Sequence, residues 1–233
     1  MKQVIILFGP PGAGKGTQAE LLSDKLNLYY FETSKILEEK FKEIEENKKA
    51  KKEVIIKNKK YNILDEKKLW KEGKLCTPLF VAYLVKEKIK ELNKEGKNLI
   101  LAGSPRTLEE AKEIIPLLKK LYGKNNIKVF FIEISPEQTI FRNSNRKICE
   151  LFRHPILYNK ETKKLTMCPL DGSKLIRREG LEEKERIKIR LKEYQERTFP
   201  LIEYFKKEKL WMKKINGEQS VADVYYDIVN SLK

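Results

Sequence analysis

Nine residues near the start of the chain, Gly9-Pro10-Pro11-Gly12-Ala13-Gly14-Lys15-Gly16-Thr17, have the types and spacing of a phosphate cradle. In such a loop successive backbone N–H groups converge on an anion, and the N-terminus of a following helix stands behind them. Glycine lets the backbone wrap the anion without a Cβ clash. Lys15 is placed to neutralise charge as a phosphoryl group moves, and the Thr17 hydroxyl is placed to reach a metal ion carried by the phosphates. The chemistry implied is phosphoryl transfer, with Gly12, Ala13, Gly14, Lys15, Gly16 and Thr17 as candidate binders of a triphosphate.

Arginine carries a second signal. Of the 50 basic residues nine are arginine, and none precedes Arg106. A chain that prefers lysine so strongly keeps arginine where a planar, bidentate, permanently charged group is needed. The lysines are spread along the chain and interleaved with glutamate, so the net charge of +16 reads as solvated helix faces that also steer anionic nucleotides inward. Aromatic-basic interleaving is lacking, and no nucleic-acid partner is expected.

The cradle needs a strand before it and a helix after it. Val4-Ile5-Ile6-Leu7-Phe8 supplies the strand and is too short for a signal-peptide core or a membrane span. No later apolar run approaches membrane length, so a soluble, cytoplasmic protein without a membrane partner is expected. Three scattered cysteines do not make a disulfide framework. Further strands are predicted at 28–31, 98–102, 127–133 and 212–215, with amphipathic helices at 16–26, 34–47, 78–94, 107–122, 136–147, 181–206 and 219–232. This alternation predicts an α/β fold with a parallel sheet covered on both faces.

Gly16 between Lys15 and Thr17, followed by Gln18-Ala19, narrows the pattern. The run GPPGAGKGTQA resembles the loop of adenylate kinases and their nucleoside monophosphate kinase relatives. The resemblance covers nearly the whole chain. It implies a three-layer P-loop NTPase sandwich with an acceptor-binding insertion and a lid. The implied activity is reversible phosphoryl transfer from ATP, with Mg2+, to AMP by a monomer. The core is assigned to 1–34, 69–147 and 179–233, an enlarged acceptor insertion to 35–68, and the lid to 148–178.

On the acceptor side, Thr33-Ser34-Lys35-Ile36-Leu37-Glu38 resembles the family's Thr-Gly-Asp-hydrophobic-Leu-Arg, with Thr33 and Leu37 kept and the charge reversed at Lys35 and Glu38. Gly73-Lys74-Leu75-Cys76-Thr77 resembles the stretch whose backbone reads the acceptor base, which makes Lys74 and Cys76 candidates. Ala102-Gly103-Ser104-Pro105-Arg106-Thr107 stands where the family has Asp-Gly-Phe-Pro-Arg-Thr. Gly103 and the phosphate-clamping Arg106 are kept, while the Asp that orders magnesium's waters is Ala102. Glu110 replaces the Gln that hydrogen-bonds adenine. A carboxylate only accepts, which suits guanine's N1–H and N2–H, or else Glu110 faces solvent.

On the donor side, Arg142 and Arg146 resemble the pair that stacks on the donor base and grips its phosphates. Arg178 and Arg190 resemble the lid and helix arginines that close on the transferring group. Gln219, after Gly217, matches the segment that contacts the donor adenine. The family's Asp-Asp pair after the lid arginine is absent. Cys149, Cys168 and Asp171 keep three of the four positions of the family's zinc-bearing lid, with Phe152 at the other and His154 as an alternative ligand. A lapsed knuckle packed around Phe152 is favoured over bound zinc. The altered motifs leave two rival readings: a catalytically impaired nucleotide-binding protein, and a kinase whose acceptor has shifted to one such as GMP.

Overall fold

The computed structural model describes residues 2–47, 51–72, 74–153, 155–177 and 182–232. The first half of the chain forms β1 (Val4–Phe8), α1 (Lys15–Leu26), β2 (Tyr29–Phe31), α2 (Thr33–Glu46), β3 (Glu53–Ile56), β4 (Lys59–Asn62), α3 (Ile63–Lys71), α4 (Pro78–Lys94), β5 (Leu99–Ala102) and α5 (Leu108–Tyr122). The second half forms β6 (Ile127–Glu133), α6 (Pro136–Ser144), β7 (Lys147–Cys149), β8 (Pro155–Ile156), β9 (Leu175–Ile176), α7 (Lys184–Glu193), α8 (Leu201–Lys207), β10 (Trp211–Asn216) and α9 (Val221–Asn230).

The main sheet has the order β10-β6-β1-β5-β2, and every pairing in it is parallel. All five residues of β1 are buried, as a strand covered on both faces requires. Val4, Ile6 and Phe8 join one apolar cluster, while Ile5 and Leu7 join the other. In the first cluster the Phe8 ring lies 5.2 Å from Phe131 and 6.0 Å from Phe205. The fold is the expected α/β sandwich. Its strands end together, so the loops leaving β1, β2, β5, β6 and β10 share one edge of the sheet, where open parallel sheets bind ligands.

The 35–68 insertion holds a hairpin that the sequence marked only at Val54-Ile55-Ile56. Lys57 and Asn58 adopt φ of 50° and 62°, and Ile56 pairs with Lys59, so the two residues form a type I′ turn. Val54, Ile56 and Tyr61 pack onto the first core cluster. Residues 147–176, which cover most of the segment expected to form the lid, hold the small antiparallel sheet β8-β7-β9.

The helix predicted over 181–206 is interrupted. Phe199 N–H donates to Tyr194 O at 2.8 Å, which widens the turn to a π-helical stretch at Tyr194–Thr198. Pro200 then breaks the ladder before α8. Likewise α6 stops at Ser144 instead of running to 147, because Lys147 enters β7.

Candidate active site

The phosphate loop leaves β1 at Gly9, where a Cβ would lie 2.2 Å from the Ile132 carbonyl oxygen. Gly12 and Gly14 hold φ of 83° and 86°, and Gly14 stands directly before α1. Only glycine takes this path without strain. Lys15 curls back under the loop, its Nζ donating to Gly9 O at 2.7 Å and Pro10 O at 2.8 Å. Burial, and then the guanidinium groups of Arg106, Arg190 and Arg146, push its pKa from 10.5 down to about 7. Four cations from four parts of the chain thus surround one spot, an arrangement that favours a polyanion there.

Arg142 is spent on structure around that spot. It donates to Gly217 O at 2.9 Å and to Gly12 O at 3.4 Å, tying the loop after β10 to the phosphate loop. Gly217 itself sits tight against the end of β6, where a Cβ would come within 2.7 Å of Ile132 Cγ2. The Gln219 side chain donates to Asp227 Oδ2 at 2.5 Å, so it turns toward α9.

A cavity on the acceptor side is lined by Thr33, Leu37, Cys76, Gly103, Arg106 and Glu110. Thr33 and Leu37 are buried on α2, and the Thr33 hydroxyl has no hydrogen-bond partner among the described residues. Such an orphan suits a ligand atom. The Cys76 Sγ donates to Glu66 O at 3.4 Å, and burial, then Glu66, raises its thiol to about 12. Glu66, buried in α3, accepts the Thr77 N–H at 2.7 Å and so fixes the start of α4, a tie with no signal in the sequence.

Glu110 does not face solvent. It is 2 % exposed, and its Oε2 accepts from Arg106 N at 2.9 Å and from Ser104 Oγ at 3.2 Å. Thr107 caps α5 by accepting the Glu110 N–H at 3.2 Å, while the Glu110 carboxylate reaches back to the Arg106 N–H, one residue before the cap. Burial raises the Glu110 carboxyl above its ordinary range. Lys35 lies outside the cavity, paired with Glu32 at 3.2 Å, and therefore is not placed on a phosphate. Lys74 is exposed and pairs with Glu72 at 2.8 Å. Glu38 stands 4.0 Å from Arg153 of the lid.

The sequence profile described as Adenylate kinase matches residues 7–210. The chain belongs to the adenylate kinase family. Among curated relatives it is 33 % identical over 234 residues to an adenylate kinase of Petrotoga mobilis, covering 98 % of this chain and 97 % of the other. It is 34 % identical over 232 residues to an adenylate kinase of Mycoplasma mycoides, covering 98 % and 99 %. An adenylate kinase of Caldicellulosiruptor saccharolyticus is 32 % identical over 232 residues, covering 98 % of each chain.

The lid of this adenylate kinase family member brings Cys149, Cys168 and Asp171 together, with one ligand atom from each inside a 4.8 Å span. Two thiols and a carboxylate fit three corners of a tetrahedral zinc site. Phe152 does not pack into the knuckle as expected; it is 68 % exposed. Protein contacts already brace the turn. Asp171 Oδ1 accepts from Ser173 N at 2.9 Å and Ser173 Oγ at 2.7 Å, while Cys168 N donates to Ser173 O at 2.7 Å. Arg178 and His154 lie outside the described residues. No helix among the described residues is long and apolar enough to cross a membrane.

Proposed function

We propose that this kinase moves the γ-phosphoryl group of Mg·ATP reversibly to AMP, giving two ADP. The convergence of Arg106, Arg146 and Arg190 on Lys15 carries this reading. The acceptor's phosphate oxygen is already anionic, so no base is needed to deprotonate it. The protein's task is to hold two polyanions in line and spread their charge. The phosphate-loop backbone and Lys15 take the donor's β- and γ-phosphates, Arg106 takes the acceptor phosphate, and Arg146 and Arg190 face the group in flight. Thr17, in the first turn of α1, would hold the magnesium that arrives with ATP. Bound there, the ion would neutralise charge on the donor phosphates. Ala102 offers no oxygen that could order the waters of such an ion, which would leave Thr17 as the hydroxyl to hold it.

Replacement of Arg106 by alanine tests the assignment. The KM for AMP is expected to rise about a hundredfold or more, with the KM for ATP changed less than about threefold, as loss of one charged, bidentate partner implies. Equal effects on both substrates would contradict it.

One observation favours a broadened acceptor range, with GMP beside AMP. Glu110 lines the acceptor cavity in the place of a glutamine that reads adenine, and it is buried there. As a carboxylate it accepts from guanine; as a neutral acid it donates to adenine. Glu110→Gln is expected to raise the ratio of kcat/KM for AMP over GMP about tenfold or more, the scale of one unpaired buried polar group. An unchanged ratio would remove Glu110 from base reading.

A further inference from the structure

Asn143 is fully buried on α6, and neither composition nor motif marks it. Its Nδ2 donates to Thr139 O at 2.7 Å, one turn back on the same helix, which fixes the amide plane. That leaves Oδ1 as the acceptor, and Arg190 NH1 reaches it at 3.4 Å from α7. The other side of the amide meets the phosphate loop, because a Cβ on Gly12 would lie 2.5 Å from Asn143 Nδ2. The amide is therefore wedged between the loop that holds the donor phosphates and the arginine that must meet the moving phosphoryl group. A buried amide is costly unless its hydrogen bonds are made. Here one of them is made to a guanidinium of the site. An aliphatic side chain would fill the same space at no such cost.

We infer that Asn143 is a positioning residue for Arg190: its Oδ1 holds the guanidinium on the phosphate-loop side as α7 packs against α6. This rests on the reading that Arg190 stabilises the phosphoryl group in transfer. Asn143 touches no substrate. It acts by offering a fixed acceptor to a long side chain from the phosphate-loop side. The small Gly12 is what lets the amide approach the loop so closely.

The test is a set of five variants of the whole enzyme, three at Asn143, Arg190→Ala and the double Arg190→Ala/Asn143→Leu, with kcat, both KM values and Tm measured for each. Asn143→Leu keeps the volume and removes the acceptor. It is expected to lower kcat about 10- to 100-fold while both KM values stay within about threefold, as loss of a transition-state interaction requires. Asn143→Asp keeps an oxygen opposite Arg190 and is expected to retain at least about a tenfold higher kcat than Asn143→Leu. Asn143→Ser, too short to reach Arg190, is expected to repeat the leucine loss, and it decides the matter if leucine prevents folding. In an Arg190→Ala background, Asn143→Leu is expected to cost less than about threefold more, since both remove one interaction. A kcat within threefold of the parent for folded Asn143→Leu or Asn143→Ser, or losses that multiply with Arg190→Ala, would overturn the inference. If Arg190→Ala itself retains full turnover, the assignment of Arg190 fails instead.

Discussion

Lys15 stands in the phosphate loop with an ammonium that its surroundings disfavour. With a pKa near 7, it is mostly neutral at pH 8 in the free protein. A bound triphosphate favours the charged form, so ATP binding at pH 8 is expected to take up a large part of one proton. Calorimetry in two buffers of different ionisation enthalpy reads this directly; absence of uptake, or uptake that persists in Lys15→Met, would contradict the assignment. The sign for stability runs the other way from a salt-bridged lysine. Between the folded value near 7 and the unfolded 10.5, the unfolded chain binds more protons, so stability rises with pH across that window. Lys15→Met is expected to raise Tm at pH 7, and the gain should fade toward pH 10. The residues of the phosphate loop, Arg106 and the position of Glu110 were legible because their types recur at fixed spacing from Gly, Pro and Thr. The surroundings of Glu110 were not, since its partners Ser104 and the Arg106 amide depend on how the turn after β5 is folded. Asn143 was invisible for the same reason: an Asn on an amphipathic helix reads as surface until α7 covers it.

The lid and the hairpin carry their own tests. Because the Cys149–Cys168–Asp171 turn is braced by hydrogen bonds, removal of metal by a strong chelator is expected to shift Tm by less than about 3 °C and to leave kcat unchanged. A loss of about 10 °C or more, or stoichiometric zinc in untreated protein, would show that the ion holds the lid. In the acceptor insertion, Glu113 of α5 accepts from Lys57 of the hairpin turn at 2.5 Å and from Lys86 of α4 at 2.8 Å. With Val54, Ile56 and Tyr61 on the core, this fixes the hairpin to the body of the enzyme. Tyr61→Ala is expected to cost on the order of 1–3 kcal/mol of stability, since its ring is only partly buried, and to raise the KM for AMP more than that for ATP. Equal changes in both would detach the hairpin from the acceptor site. The edge strands β2, three residues long, and β10, with Lys213 and Lys214, carry a weaker signal, whereas the central strands β1, β5 and β6 were legible because burial on both faces writes near-continuous apolar runs. The hairpin was not, since Lys59-Lys60-Tyr61-Asn62 carries one apolar residue and only its turn geometry, with both central residues at positive φ, makes it a strand pair. The lid strands β8 and β9 are two residues each, below the length at which alternation has meaning.

Across the whole molecule, a net charge of +16 surrounds a site that takes two anionic nucleotides. Association of both is expected to weaken steadily with ionic strength, as screening shortens the reach of the surface lysines. The family's sheet brings cations from the phosphate loop, the end of β5, the end of α6 and α7 to one edge, although they are far apart in sequence. Against this stand the changes at Lys35, Glu38 and Ala102, each of which removes something the family's motifs supply. If the proposed function holds, the convergence on Lys15 suffices for turnover. The measurement that tests this most directly is phosphotransfer from Mg·ATP to AMP, GMP, UMP and CMP in parallel by purified protein, with Lys15→Ala as the blank. ADP formation with AMP is expected and should disappear in the blank, with GMP as the next acceptor. Protein that binds ATP yet transfers to none of the four would contradict it.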